Sequence, residues 1–199
     1  MPKVVDIGAR RRELAEALWR VIRRDGLERA SVRNVAREAG FSMGALRHYF
    51  STQDELLAFA MRLVIERARG RIEALDLSSR GSREAAELVL REVLPLDSER
   101  VAEAEVWLAL TGRALVDPTL RAIRAESYDL LEWLCRRMIC SLVESGETLP
   151  GLNVELEAGR LYAVIDGLAM HAVVRPERAT ADLVSSVLER HLDGLCRSI

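Results

Sequence analysis

Helical periodicity is the feature that most limits what this chain can fold into. Apolar residues recur at three- and four-residue spacing along nearly all of the 199 positions, and no segment shows the period-two alternation of a half-buried strand. Turn-forming residues interrupt the pattern, among them Gly26, Gly40, Pro95 and Pro118. Because 49% of the residues are hydrophobic, the chain can bury a sizeable core. The sequence therefore predicts an all-α fold.

The interruptions divide the chain into nine predicted helices. The first four run from Ala9 to Arg24, from Ser31 to Gly40, from Ser42 to Phe50 and from Thr52 to about Leu75. The other five are predicted at residues 82–94, 98–115, 118–145, 154–174 and 179–196. We expect a three-helix N-terminal bundle (residues 1–51), joined by the long fourth helix to a larger C-terminal helical bundle (residues 52–199).

Charge is unevenly distributed, although the net charge is only −2. Residues 1–50 carry eleven Lys and Arg against six Asp and Glu, whereas residues 76–199 carry fourteen against twenty-one. Such asymmetry indicates a basic segment that faces a polyanion, attached to an acidic body. Ordinary scatter of surface charge is the alternative.

The segment GFSMGALRHYFSTQDELL, residues 40–57, joins two short predicted helices to the long fourth one. Ser31 and Ser42 are suitable N-caps, Gly40 supplies the turn between the helices, and Thr52 and Glu55 have capping-box spacing. Two short helices around a glycine turn are typical of a helix-turn-helix, whose second helix enters the DNA major groove by its N-terminal turn.

Small residues in that leading turn suit close approach to DNA. Gly44 lets the backbone come near, and Ala45 can contact a thymine methyl group. Leu46 and Phe50, four residues apart, hold the helix on its bundle. The residues expected to face DNA in this helix are Ser42, Met43, Gly44, Ala45, Arg47, His48 and Tyr49. For His48 a solvated surface position is the alternative, and for Tyr49 a packing role.

The stretch ASVRNVAREAGFSMGALRHYFSTQDELL resembles the N-terminal signature of TetR-family transcriptional repressors, over about residues 9–60. LYAVIDGLAMHAVVRPE is similar to the dimer-forming helix of the BetI-like subgroup. By position, the resemblance implies that Ser31, Arg33, Ser42, Ala45, Arg47, His48 and Tyr49 contact DNA. This chain departs from the family pattern at Met43 and Gln53, where Lys is frequent, and at Arg47, where Tyr is frequent.

No catalytic constellation, phosphate-binding loop or metal motif is found, so neither an enzymatic role nor a cofactor is expected. Asp166 and His171, five residues apart, lie about 140° apart around a helix, which does not suit two ligands of one metal. Cys135, Cys140 and Cys196 have no CxxC spacing and are expected to be buried free thiols, with redox sensing by one of them left open. The absence of an 18-residue apolar run and of an apolar signal region in MPKVVDIGARRREL predicts a cytoplasmic protein.

A homodimer is expected, because one short recognition helix reads only a few base pairs and a two-fold protein matches two half-sites. The last two predicted helices carry apolar stripes suited to a four-helix interface, with packing inside one subunit as the alternative. The predicted interface residues are Leu161, Ile165, Leu168, Ala172, Val184, Leu188, Leu192 and Leu195.

Aromatic, sulfur-containing and polar residues of the middle helices form a candidate effector site, and ordinary core packing is the alternative for each aromatic or Met. The predicted effector-binding residues are Glu103, Trp107, Thr111, Tyr128, Cys135, Met138, Tyr162 and Asp166. Such a lining suits an apolar or amphipathic molecule, and the two carboxylates would accept a cationic one.

These observations predict a DNA-binding transcriptional regulator, a repressor that a small molecule releases from double-stranded operator DNA. The effector would favour a state whose two DNA-reading heads are wrongly spaced, with the fourth helix as the lever. The alternative is a helical small-molecule-binding protein or enzyme with an incidental helix-turn-helix pair.

Overall fold

The structure is a computed structural model and describes residues 6–196; the first five residues of the N-terminal segment considered above lie outside this range. Within residues 6–196 the chain forms nine α-helices and no named strand, which confirms the all-α fold. The helices are α1 (Ile7–Asp25), α2 (Val32–Ala39), α3 (Met43–Tyr49), α4 (Gln53–Glu73), α5 (Ser82–Arg91), α6 (Ser98–Arg113), α7 (Pro118–Glu144), α8 (Val154–Val174) and α9 (Ala181–Asp193). Each corresponds to one predicted helix.

Local capping sets the helix bounds at the N-terminal end of the chain. The Oγ atoms of Ser31 and Ser42 accept hydrogen bonds from the N–H groups of Asn34 and Ala45, at 3.3 and 3.1 Å. Helix α1 begins two residues before the predicted start, because the Asp6 carboxylate accepts the Ala9 N–H at 3.0 Å. A 3-10 turn at Leu27–Arg29, not predicted from the sequence, follows α1.

Unit 1 is the first of two compact units and comprises the described residues up to Arg67 together with Glu105–Ala125. Its core contains the inward-facing residues predicted for the first four helices, such as Leu14, Leu18, Leu46 and Leu57. The same core includes residues of the C-terminal half of α6 and of the start of α7: Val106, Leu110, Leu120 and Ile123.

Unit 2 comprises Ala68–Ala104 and the described residues from Glu126 onwards. Its core is formed by side chains of α5, α7, α8 and α9, including Leu90, Ile139, Leu161 and Leu188. Packing therefore does not follow the predicted boundary between residues 51 and 52, since most of α4 and residues 105–125 share the core of the N-terminal helices. None of the helices within residues 6–196 is long and apolar enough to cross a membrane.

Candidate DNA-binding surface and effector site

The α2–turn–α3 segment of unit 1 has helix-turn-helix geometry. Gly40 is the C-cap of α2, and its φ of +72° lies in the left-handed region. The Phe41 N–H donates to the Ala36 carbonyl at 2.8 Å. Ser42 then caps α3 after one further residue. The turn is therefore fixed by backbone hydrogen bonds and by a glycine where side chains are disfavoured.

Helix α3 has one buried side and one open side. Leu46 and Phe50 are fully buried, whereas Arg47 and His48 are exposed and Met43 is 42% exposed. A Cβ atom added to Gly44 would meet no atom closer than 3.9 Å, so the leading turn is open to an approaching surface. The small N-terminal turn and the basic side chains of α3 are thus available to DNA.

Tyr49 is half-buried and packs edge-on against two rings. Its ring centroid lies 6.2 Å from that of Phe41 and 5.4 Å from that of His48. The Tyr49 ring therefore packs against both neighbouring rings. Ala45 and Ser31 are also half-buried, while Ser42 and Arg33 are exposed.

Two arginines of the helix-turn-helix have no ion-pair partner among the described residues. Arg33 of α2 and Arg47 of α3 are exposed and form no ion pair with any residue in the described range. Other arginines of the region are paired: Arg20 and Arg24 both bind Glu38, at 3.0 and 2.9 Å, and hold α1 to α2. The positive charge of Arg33 and Arg47 is thus not compensated by an acidic side chain among the described residues.

Gln53 occupies a position where the family often has Lys, and the structure gives it a different contact. Its Nε2 donates to the Ala30 carbonyl at 2.9 Å, just before the α2 cap. Sequence reasoning missed this role because the partners are 23 residues apart, and no local pattern connects them.

The predicted effector residues are divided between the two units. Tyr128, Cys135, Met138, Tyr162 and Asp166 belong to unit 2, as does Glu103, whereas Trp107 and Thr111 belong to unit 1. Trp107 packs against the unit 1 core, and the buried Thr111 hydroxyl has no hydrogen-bond partner in the described part of the chain.

An aromatic and acidic cluster forms where α7 meets α8, and we call Tyr128, Tyr162 and Asp166 the tyrosine–aspartate cluster. The two rings are nearly perpendicular, with centroids 6.3 Å apart. The Tyr162 hydroxyl donates to the Asp166 carboxylate. No described basic side chain forms an ion pair with Asp166. The cluster therefore presents a carboxylate beside two aromatic rings.

Burial raises the pKa of three acidic groups in this region, those of Asp166, Tyr162 and Cys135. Desolvation raises the pKa of Asp166, and the Tyr162 hydrogen bond only partly opposes it. The pKa of Tyr162 is raised by burial and then by the Asp166 charge. The same two causes raise the pKa of Cys135 to about 12, so this thiol stays protonated near neutral pH.

Glu103, one of the predicted effector residues, is buried and paired with an arginine of the same unit. It is 3% exposed, and its two oxygens accept hydrogen bonds from Arg71 at 3.0 and 2.8 Å. Arg71 also binds the Glu92 carboxylate and carbonyl, each at 3.1 Å. The charge of Glu103 is therefore compensated by Arg71 inside unit 2.

The predicted interface residues form the core of unit 2 instead of a free surface. Seven of the eight are at most 5% exposed within the subunit, and Leu168 is half-buried. Other sides of α8 and α9 carry the exposed apolar residues Leu156, Met170, Val174, Leu183 and Val187. The helical period correctly identified the apolar stripes, but packing within one subunit uses them.

All three cysteines are free; Cys135 is buried, and Cys140 and Cys196 are half-buried. A cavity of about 210 Å³ in unit 2, lined by Pro95, Asp97, Pro176 and neighbouring residues, contains Ala172 and none of the predicted effector residues. No group of three or more His, Cys, Asp or Glu side chains between residues 6 and 196 has the arrangement of a metal site.

Two capped helices around a glycine turn, with an open small-residue turn and uncommitted arginines, define a helix-turn-helix DNA-binding protein. Residues 14–60 match the family model described as bacterial regulatory proteins, tetR family, and residues 82–197 match that of the BetI-type transcriptional repressor, C-terminal. The chain belongs to the TetR family and is a transcriptional regulator.

Relatives and solved structures agree with this assignment. The HTH-type transcriptional regulator PksA of Bacillus subtilis is 43% identical over 98% of this chain and 94% of its own length. The crystal structure of a transcriptional regulator from Rhodococcus sp. Rha1 is 32% identical, with a TM-score of 0.79 over 93% of this chain and 95% of that one. A regulator from Saccharomonospora viridis, solved in complex with choline, shares the fold at 21% identity, with a TM-score of 0.81 over 96% of this chain and all of the other.

Proposed function

We propose that this regulator is a homodimeric repressor that binds operator DNA through α2 and α3 and leaves it when a small organic cation binds. The observation that carries the proposal is the open side of the helix-turn-helix, where Arg33 and Arg47 have no ion-pair partner among the described residues. The protein acts in the cytoplasm, where its DNA lies, and has no catalytic role. An incidental helix-turn-helix in an enzyme would not need its arginines unpaired.

The DNA-facing residues divide by the kind of contact they offer. The N–H groups at the capped starts of α2 and α3, beside Ser31 and Ser42, together with Arg33, suit phosphate oxygens. Met43, Gly44 and Ala45 suit the floor of the major groove, where apolar atoms contact thymine methyl groups. Base edges or the adjacent DNA backbone are contacted by the side chains of Arg47, His48 and Tyr49.

Dimerisation uses the outer sides of α8 and α9. Met170 and Val174 on α8 are 52% and 60% exposed, and Leu183 on α9 is 49% exposed. Gly159 and Gly167 have open space beside them, which permits a second helix to approach α8 closely. An exposed apolar surface on adjacent helices favours an isologous contact with a second copy.

The tyrosine–aspartate cluster is the proposed effector contact. A carboxylate without a basic partner attracts a cation, and two aromatic rings stabilise a cation whose nitrogen has no N–H group to donate. Choline, a quaternary ammonium compound, is bound by the Saccharomonospora regulator that shares this fold. A quaternary or tertiary ammonium group is therefore the effector class that fits these residues. The effector must bind more tightly to the DNA-incompetent state than to the competent one.

Operator binding is tested by gel mobility shift. A duplex selected from a random library by the wild-type protein is compared with a scrambled duplex over a range of salt concentrations. The expected outcome is a large preference for the selected duplex and a steep loss of affinity with salt. Arg47→Ala removes one phosphate contact from each subunit of the dimer, so it should lower the salt slope by about two units. Equal binding of both duplexes at moderate salt would contradict the proposal.

Effector binding is tested with choline and with 3,3-dimethylbutan-1-ol, a neutral molecule of the same shape. Choline should raise the thermal midpoint and release operator DNA, while the neutral alcohol should do neither. Asp166→Asn should remove the choline response and leave operator affinity unchanged. A choline response that survives Asp166→Asn would show that the effector binds elsewhere.

A further inference from the structure

Arg11 of α1 is held between two aromatic rings and a carboxylate. Its guanidinium carbon lies 4.6 Å from the Phe50 ring centroid and 4.7 Å from that of Phe59. The same group donates from Nη2 to the Glu55 carboxylate at 3.0 Å. The Phe50 and Phe59 rings are themselves in contact, with centroids 5.4 Å apart. Arg11 therefore joins α1 to the segment where α3 ends and α4 begins.

These contacts leave Arg11 poorly placed to bind a phosphate. Its Nε is buried and has no hydrogen-bond partner in the described part of the chain, and its side chain is only 31% exposed. The adjacent Arg12 is exposed. A buried polar atom without a partner has a free-energy cost, so the surrounding contacts must hold the guanidinium firmly in place.

The groups that Arg11 touches fix the exit of the DNA-facing helix. Phe50 is the C-cap of α3, is 1% exposed, and donates its N–H to the Leu46 carbonyl at 3.0 Å. The second oxygen of Glu55 accepts the Ser51 N–H at 2.9 Å, and the Glu55 N–H donates to Thr52 Oγ1 at 3.1 Å. Arg11 thus contacts Phe50 directly, and its partner Glu55 holds Ser51 and Thr52, the next two residues of the chain.

We propose that Arg11 is a positioning residue for DNA recognition: it sets the direction of α3 by fixing Phe50 and the start of α4 against α1. The inference rests on the proposed DNA-reading role of α3. A planar guanidinium can stack on two rings while it hydrogen-bonds a carboxylate in its own plane, and an ammonium cannot. Arg11 therefore cannot be replaced by Lys even though the charge is kept.

The test compares Arg11→Lys with the matched control Arg12→Lys, which changes the same residue type one position further along α1. Affinities for the selected operator duplex and for a scrambled duplex are measured at several salt concentrations, well below the thermal midpoint of each variant. Arg11→Lys should bind the operator about tenfold more weakly, the effect expected from loss of one specific base contact. Its affinity for scrambled DNA and its salt slope should stay unchanged, and Arg12→Lys should behave as wild type.

Glu55→Gln is the second variant, because its amide oxygen can still accept the Ser51 N–H while the charge that pairs with Arg11 is removed. Like Arg11→Lys, it should lower the ratio of operator affinity to scrambled-duplex affinity. If Arg11→Lys does not fold, Glu55→Gln alone tests the proposal. An unchanged ratio in the folded variants, or an equal loss on both duplexes, would overturn the positioning role. A wild-type protein that shows no operator preference would instead overturn the proposed function and the inference together.

Discussion

Asp166 is an acidic side chain whose charge is not compensated by a basic partner among the described residues, and its pKa is raised by burial. The folded state therefore binds the proton more readily than the unfolded state, where an Asp has a pKa of about 3.9. The carboxyl group destabilises the fold least when it is protonated. The free energy of unfolding therefore decreases as pH rises from the ordinary pKa of Asp to the raised pKa of Asp166. Above the raised pKa, the full cost of burying the charged carboxylate lowers the stability of the fold.

Asp166→Asn should therefore raise the thermal midpoint at neutral pH, because the neutral amide avoids the cost of a partly buried charge. At a pH below the ordinary Asp value, the difference from wild type should disappear. Thermal unfolding of the variant and of the wild type at a series of pH values measures the difference in midpoint at neutral pH and its loss at low pH. A variant less stable than wild type at neutral pH would show that Asp166 already has a compensating partner.

The same titration should govern effector affinity. Choline keeps its charge at every pH, so any pH dependence of its binding reports the protein. Its affinity should decrease as pH falls through the raised pKa of Asp166, and calorimetric titration against pH would show this. The Tyr162→Phe variant, which loses the hydrogen bond that partly lowers this pKa, should shift the decrease to higher pH.

The ion pair between Arg71 and the buried Glu103 should contribute measurably to the stability of unit 2. Arg71→Met should destabilise the protein by about 3 kcal/mol, since it removes the guanidinium from a buried carboxylate. Glu103→Gln should cost less, because the amide still accepts a hydrogen bond from Arg71 and no carboxylate is left buried. Urea unfolding measures both, and an Arg71→Met variant as stable as wild type would contradict the structural role of this pair.

At the scale of elements, α9 has two apolar sides with opposite roles. Leu188 is fully buried in unit 2, and its neighbour Val187 is 38% exposed. Val187→Glu should give a folded monomer with weakened operator binding, because it places a charge in the proposed dimer contact. Leu188→Ala should keep the dimer and lower stability by about 2–5 kcal/mol, the usual cost of truncating a core leucine.

Sedimentation velocity and thermal unfolding of these two adjacent variants separate the roles. A stable dimer in Val187→Glu would place the interface on another surface. The sequence predicted both helices and their apolar residues, but it assigned Leu188 to the interface. Periodicity reports which side of a helix is apolar, and it does not report whether that side meets another helix of the same subunit or of a second one.

For the whole molecule, two-fold symmetry should appear in the DNA. The operator should contain two half-sites whose centres are separated by roughly one helical turn of 34–36 Å or a multiple of it. Insertion of about five base pairs, half a turn, between the half-sites should reduce affinity to that of a single half-site. Substitution of the same central base pairs without a change in length is the control and should have a smaller effect. Undiminished binding to the lengthened operator would contradict a fixed dimer.

The sequence by itself determined the all-α fold, the number and order of the nine described helices and the helix-turn-helix, because these depend on signals within one helix or one turn. The Ser31, Ser42 and Thr52 caps and the Gly40 turn act over three to five residues and are visible in the chain. The open side of α3 followed from the same local pattern.

Only the tertiary structure decided which distant side chains meet. It pairs Glu103 with Arg71 across 32 residues, ties Gln53 to Ala30, and places Arg11 against Glu55 across 44 residues. It also assigns Trp107 and Thr111 to unit 1 and the tyrosine–aspartate cluster to unit 2. The helical period specifies a side of each helix, but the partner of that side depends on the packing of the whole chain, in which long-range contacts compete for the same apolar and charged groups.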